Sequence, residues 1–385
     1  MSRNLKKRKK SNLLFITEFF PISENIDIYG GVEMRTYLIA RELAKYQRVT
    51  VITSRVGMKT KRFNIGNIQV IPAGFQRKYV HKSDYFKRIF FILDSLRKSL
   101  SVSYDLVEGA GISSYLTAFI SGIIKRKPIV AFVPDTFTSL TYLSKGESVI
   151  LSVFEKTMLK APWSGYIVIS QVVKNKLLDI VGKKRNIKVI YCPFNSTDLG
   201  KVKKTLQPSV VFVGRLVNYK RVDDLIKAIK LVSKVTPDVT CYIVGSGPEE
   251  DRLKSLSDRL NLNRTVCFIG HVKSHKRVFT YQSKSWVYCF PSAYEGFGIT
   301  TIEAMYAKTP FVLPDTRLNK EITKKQGGFF YKPEEVADIA NKINFIFNLN
   351  KQERNKLTQK NSLVYDKYLP KTITRQTEEF YTSLS

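Results

Sequence analysis

Glu295 sits where an apolar run, 287–290, breaks at Pro291 and the loop Glu-Gly-Phe-Gly at 295–298 leads into a helical pattern carrying Glu303. A strand, a tight loop and a helix start place that carboxylate at the mouth of a sheet. They also turn the backbone N–H groups of Gly296, Phe297 and Gly298 toward an incoming anion. Glu303, with seven residues between it and Glu295, is expected on the first helical turn, within reach of the other end of the same ligand. A polyol bearing phosphate suits such a site. A carboxylate near a helix start can also simply offset the macrodipole, which would account for Glu303 but not for Glu295 in its glycine setting.

Arg215 and Lys220 follow the apolar run 210–213 and precede an amphipathic pattern that starts near Val222. Two cations at the carboxyl end of a first strand stand where open α/β sheets take ligands. A departing diphosphate gathers negative charge in its transition state, and fixed Arg and Lys donors stabilise it directly. The same residue types are ordinary on a solvated surface, and the adjacent Arg221 suggests no role. Downstream, Gly245 and Gly247 make a tight turn before Pro248, a residue suited to a first helical position. Ligand contact and a purely conformational role both fit that turn.

Positioning such groups takes alternating strands and helices. Short β-branched runs at 13–17, 49–53, 68–71, 106–108, 129–133, 166–169 and 188–191 alternate with longer amphipathic ones, the pattern of a parallel sheet wrapped by helices. Gly30 and Gly31 precede a predicted helix over 32–45, where paired glycines let backbone approach a ligand. A polar, lysine-rich stretch at 198–208 reads as a linker. Strand candidates then resume at 210–213, 240–244, 266–269, 287–290, 311–313 and 328–331, and a final helix after 368 carries Ile373, Phe380 and Tyr381. The 385 residues, 43% hydrophobic, suffice for two domain cores at roughly 100–200 residues each.

The 64 Lys and Arg against 32 Asp and Glu give a net charge of +32, which points to phosphate-rich partners: nucleic acid, anionic membrane or phosphorylated substrates. No aromatic-rich RNA motif or DNA-reading helix supports the first of these. The four cysteines lack metal or redox spacing and read as buried thiols in a reducing compartment. The basic N-terminus is a poor secretory signal. The most apolar window, 109–124, falls short of the roughly 20 residues that span a bilayer and reads as a buried helix. A cytoplasmic protein is expected. Residues 83–98 put Phe86, Ile89, Phe90, Leu93 and Leu96 on one helical stripe among Lys87, Arg88, Arg97 and Lys98. That stripe suits a bilayer surface or packing on the sheet.

The motif Pro-Ser-x-x-Glu-Gly-Phe-Gly-x-x-x-x-Glu-Ala at 291–304 resembles the donor-site signature of family 4 of the retaining glycosyltransferases. Gly-Arg-x-x-x-x-Lys at 214–220 resembles that family's phosphate clamp. The resemblance covers roughly 12–385 and implies an α/β chain of GT-B fold: two Rossmann-like, doubly wound domains facing a central cleft. A basic tail at 1–11 would precede an acceptor domain at 12–200 and a nucleotide-sugar donor domain at 209–367, and a helix at 368–385 would return to the first domain.

By that resemblance Glu295 contacts hydroxyls of the transferred sugar and Glu303 takes the ribose hydroxyls. Arg215, Lys220 and the N–H groups of Gly298 and Ile299 hold the diphosphate, with Gly296 and Phe297 in the same loop. Gly245 and Gly247 lie beside the nucleotide, His271 and Val272 near the base, and Gly30 and Gly31 near the donor phosphates and the acceptor. Relatives commonly carry a histidine after the strand at 129–133; here Pro134 and Asp135 follow, leaving Asp135 as an acceptor-side candidate. Thr316 and Arg317 stand where a glycine pair is common, which bears on the donor sugar.

The implied reaction is retaining transfer from a nucleoside diphosphate sugar to a hydroxyl of a glycan or lipid-linked acceptor, with neither cofactor nor metal. The departing phosphate oxygens would deprotonate the acceptor on the same face. Peripheral contact with the anionic inner membrane face fits the excess charge. Two rivals stand beside it: a GT-B epimerase or phosphorylase, which needs its own catalytic acids or a cofactor lysine, and a non-enzymatic basic module binding nucleic acid or membrane.

Overall fold

The computed structural model describes residues 10–23, 30–58, 62–77, 85–136, 145–196, 200 and 202–384. Residues 1–9 of the basic tail, and positions 198, 199 and 201 of the expected linker, lie outside them. The chain forms two compact units, one from residues 1–193 with 370–385, the other from 194–369.

In the first unit, strands β1 (Asn12–Thr17), β2 (Arg48–Val56), β3 (Phe63–Ile65), β4 (Ile68–Arg77), β5 (Leu106–Ala110), β6 (Ile129–Val133), β7 (Gly165–Val168) and β8 (Ile187–Val189) form a sheet of order β3-β4-β2-β1-β5-β6-β7-β8. All pairings are parallel except β3 with β4. The central strands β5, β6 and β7 are buried along their whole length, which explains their continuous apolar runs. The connecting helices are α1 (Gly31–Leu43), α2 (Tyr85–Ser101), α3 (Ile112–Lys125), α4 (Lys145–Lys160) and α5 (Gln171–Val181). Right-handed crossovers put α2 to α5 on one face of the sheet and α1 on the other. The hairpin β3–β4 has no counterpart in the sequence reading, since three residues are too short to show a period.

The apolar window 109–124 is not one buried helix. Gly109 and Ala110 finish β5, and in α3 the buried residues are Ser113, Ser114, Tyr115, Thr117, Ala118, Ser121 and Gly122, while Ile123 and Ile124 are exposed. Likewise α2 buries Phe91, Ser95 and Ser99 and leaves Phe86, Ile89 and Leu93 in solvent, so its apolar stripe does not pack on the sheet. The two helices meet through small polar residues: the Ser95 and Thr117 hydroxyls are 2.9 Å apart. No described helix is long and apolar enough to cross a membrane.

The second unit has strands β9 (Ser209–Val213), β10 (Thr240–Val244), β11 (Val266–Gly270), β12 (Val287–Cys289), β13 (Phe311–Pro314) and β14 (Gly328–Tyr331), all parallel, in the order β11-β10-β9-β12-β13-β14. Helices α6 (Val222–Val235), α7 (Glu250–Arg259), α8 (His275–Lys284), α9 (Ile299–Tyr306), α10 (Arg317–Thr323), α11 (Val336–Asn348), α12 (Lys351–Thr358) and α13 (Ser362–Tyr365) surround them. The unit starts earlier than the stretch expected as a linker. Phe194 is fully buried, 5.2 Å from the Tyr306 ring and 6.4 Å from that of Tyr365. Within the supposed linker, Lys204 Nζ donates to Ser285 O at 2.7 Å and Thr205 O accepts from Trp286 Nε1 at 2.9 Å. Those residues are fastened onto the second unit.

The last helix, α14 (Pro370–Thr382), belongs to the first unit and packs beside α1. It starts after Tyr368, which is buried in the second unit with its hydroxyl donating to Ile322 O at 2.7 Å. Ile373, Phe380 and Tyr381 are buried. Tyr381 donates its hydroxyl to Glu108 Oε2 at 2.5 Å, and Glu108 is also ion-paired with Arg35, whose guanidinium lies 3.9 Å from the Phe132 ring centre. A side chain at Gly165 would come within 2.6 Å of the Phe380 ring, so glycine there makes room for α14.

Candidate active site

Because β9 to β12 are parallel, the loops after them emerge along one edge of the second sheet. From β9 the chain builds β10 and β11 on one side and then returns to place β12 on the other. The gap between the β9 and β12 loops is therefore the switch point at which open α/β sheets take ligands.

The β9 loop runs through Gly214 and Arg215 into a short 3-10 turn, Asn218–Lys220, and the β12 loop is tied to it by Ala293 N donating to Tyr219 O at 2.9 Å. Across this junction Lys220 Nζ is ion-paired with Glu295, both largely buried, and Lys220 lies 4.7 Å from the Phe290 ring centre. The structure thus brings together the residues named for phosphate and for sugar. Arg215 is exposed on the same loop. Arg221 has a different job: it takes a left-handed backbone (φ 50°), bonds Asp224 at 2.5 Å and reaches Glu334 at 3.0 Å, closing the loop onto α6.

The role of Gly245 and Gly247 is conformational at the least. A Cβ at Gly245 would run into Gly214 O, and one at Gly247 into Leu216 O. The β10 loop instead lies flat on the β9 loop, with Leu216 N donating to Ser246 O at 3.0 Å and Glu249 N to Leu216 O at 3.1 Å. His271 and Val272 follow β11, His271 exposed. Gly296 leads to Phe297, which is buried edge-on against Tyr368 with ring centres 5.6 Å apart, and Gly298 (φ 85°) caps α9 ahead of Ile299. Thr316 accepts from Asn319 N at 3.1 Å as the N-cap of α10.

Glu303 lies on the second turn of α9 rather than the first, and that first turn holds no acid, so the macrodipole reading does not explain it. It is buried and bonded at 2.8 Å to His275 Nε2 at the start of α8, whose ring stacks on Phe279. Burial opposes the imidazolium, but the hydrogen bond and charge of Glu303 outweigh it and raise the His275 pKa. Protonation then stabilises the fold fully below the unfolded value, about pH 6.5, and this is lost as pH rises through the raised folded value. His275→Phe keeps the stacking and removes the partner. It is expected to cost about 1–2 kcal/mol at acidic pH, as for a hydrogen bond to a charged group that is partly solvated. The difference from the parent should narrow in urea melts run at alkaline pH; a pH-independent difference would remove the ionic contribution.

In the first unit, Gly30 is the extended N-cap of α1 and Gly31 its first residue. Asp135 follows β6, where it accepts from Thr136 N at 2.8 Å and pairs with Lys176 at 3.3 Å. The switch point of this sheet, between β1 and β5, holds a cluster absent from the sequence reading. Glu18 accepts from Arg77 at 2.7 Å, Arg88 at 2.9 Å and Ser113 at 2.7 Å. Burial works against its charge, yet the two guanidiniums and the hydroxyl prevail and hold its pKa below the usual carboxylate value.

Comparison with known proteins gives the family of the chain. Residues 29–198 match the model for Glycosyltransferase Family 4, and residues 197–363 match that for Glycosyl transferases group 1. The chain belongs to the group 1 glycosyltransferases. An uncharacterized glycosyltransferase of Haemophilus influenzae is 26% identical over 356 residues, 89% of this chain and 94% of that one. Sucrose-phosphate synthase from Thermosynechococcus elongatus superposes with a TM-score of 0.79 at 19% identity, covering 97% of this chain and 99% of the other. Anabaena HepE, in complex with UDP and glucose, does so at 0.73 and 20%, covering 97% and 100%. These likenesses give the glycosyltransferase its two-domain GT-B fold.

In this glycosyltransferase His275 and Glu18 were missed for one reason: each matters through a partner far along the chain. Among the described residues, no three His, Cys, Asp or Glu side chains gather as a metal site.

Proposed function

We propose that this glycosyltransferase moves a sugar, with retention and without a metal, from a nucleoside diphosphate sugar to a hydroxyl of a glycan or lipid-linked acceptor at the cytoplasmic membrane face. The observation that carries the reading is the Lys220–Glu295 pair bridging the β9 and β12 loops at the switch point. A donor entering there exchanges partners: its diphosphate takes Lys220 and Arg215, and Glu295 is released to the sugar hydroxyls. Glu303, held by His275, is placed for the ribose. As C1–O cleavage builds charge on the diphosphate, the two cations and the N–H groups at Gly298 and Ile299 stabilise it, and its oxygens take the acceptor proton on the same face. The +32 charge and the basic run at 3–10 support a membrane-borne acceptor.

A thermal-shift panel of nucleoside diphosphate sugars tests the donor, beginning with uridine sugars because HepE binds UDP. The anomer of the product, read by NMR, tests retention. Activity is expected to survive excess chelator, since side-chain cations neutralise the diphosphate. Loss on chelation, restored by magnesium or manganese, would overturn the metal-free mechanism.

A further inference from the structure

We propose that the outer face of helices α2, α3 and α4 is the surface by which this protein lies on an anionic lipid bilayer; the proposal rests on the membrane-face reading above and gives it a contact surface. The three helices each link parallel strands by crossovers on the same side of the sheet, so they run the same way, and α3 packs against both α2 and α4. Each leaves large apolar side chains in solvent, although Phe91, Tyr115 and Leu159 are buried on their inner sides. The outward residues of α2 are Phe86, Ile89 and Leu93, with Phe75 and Phe90 in a ring cluster beside Phe86. On α3 they are Ile123 and Ile124, and on α4 Val149, Ile150 and Val153; the exposure of these helical residues ranges from 53% to 71%. Large apolar side chains exposed on three adjoining helices of one face are the kind of surface that marks an interaction site.

The charge on this face has a direction. At the N-terminal end of α2, Arg88 is held by Glu18 at 2.9 Å. The apolar rows of α2 and α4 give way to cations toward the C-terminal ends of those helices, Arg97 on α2 and Lys156 and Lys160 on α4, and Lys125, Arg126 and Lys127 follow Ile123 and Ile124 at the end of α3. Because the helices are parallel, these cations share one edge. Two of these cations are paired, Arg97 with Asp94 at 3.0 Å and Lys127 with Asp105 at 3.5 Å, but both pairs are solvent-exposed and Glu155 is buried, so the edge keeps an excess of positive charge from Arg126, Lys156 and Lys160. A pocket of about 360 Å³ opens along this edge between α4 and α5, lined by Lys156, Lys160, Lys176, Asp179 and Ile180, and suits a phosphate headgroup. Apolar rows beside a basic edge match the acyl and phosphate layers of an anionic leaflet. A second copy of this chain, itself carrying a net charge of +32, would bring a second set of like charges against this edge.

The test is flotation of the full-length protein with vesicles of phosphatidylcholine containing phosphatidylglycerol, against vesicles of phosphatidylcholine alone. The parent should float only with the anionic vesicles and release as salt rises. Ile89→Glu combined with Ile150→Glu should weaken binding at least about tenfold, as expected when apolar side chains are withheld from the interface. Arg97→Glu combined with Lys156→Glu should weaken it by more than the roughly fivefold per cation near an anionic surface. All four positions are exposed, so circular dichroism and melting should match the parent. If the parent floats and both double variants float equally well, the helical face is overturned while membrane association stands. A parent that ignores anionic vesicles overturns both. A dimer in sedimentation that Ile89→Glu disperses, without lipid binding, assigns the face to a second copy and overturns the lipid assignment. None of these readouts depends on turnover.

Discussion

Glu295→Gln should lower turnover by about a hundredfold or more with the fold intact and only a small fall in melting temperature, the size expected when one preorganised electrostatic group at a reacting centre is lost. The amide has the shape of the carboxylate and can still accept from Lys220, and the β12 loop keeps its bond from Ala293 N to Tyr219 O. What disappears is the negative charge that orients the sugar hydroxyls as positive charge develops at C1. The loss should therefore fall on kcat, with KM for the donor little changed. A near-parent kcat would take Glu295 out of the site.

Arg215→Ala and Lys220→Ala should each lower turnover by about a hundredfold or more and weaken nucleoside diphosphate binding in parallel. Their effects on stability should differ. Arg215 is exposed, and its truncation leaves the fold as it was. Lys220 is largely buried against Phe290 and pairs with Glu295, so its removal leaves a carboxylate short of its partner and lowers the melting temperature. Adding Glu295→Gln should restore part of that loss, and the two changes should be non-additive in turnover, because each disables the same exchange of partners. Unchanged kinetics in both single variants would mean that the diphosphate lies elsewhere.

The strands were legible because parallel, doubly covered strands appear as short apolar runs: Ile129–Val133, Thr240–Val244 and Gly328–Tyr331 are bounded as the sequence suggests. Helices that bury serines were not. Periodicity reports where apolar residues fall, not which side faces the sheet, so α2 left two readings open and α3 was merged with the end of β5. The loops carrying Arg215, Lys220 and Glu295, and the start of the helix that carries Glu303, were legible because glycine and proline punctuate them. Their partners were not, since the bonds of His275 to Glu303 and of Glu18 to Arg77 and Arg88 join positions that only the folded sheet brings together. The expected linker shows the same limit, since polar composition at Lys204 and Thr205 does not reveal that their atoms are bonded to the second unit.

The return of α14 sets an order on the making of this protein. Arg35 and Glu108 leave the ribosome early, but the hydroxyl that completes their pair belongs to Tyr381, and Phe380 fills the space kept at Gly165. At about 5–20 residues per second of synthesis, the first unit waits some tens of seconds for its final segment, while 194–369 is already contiguous and can close on emergence. A stop before residue 370 is thus a lesion of the first-made unit, which the nascent chain cannot complete until residues 370–382 have been added.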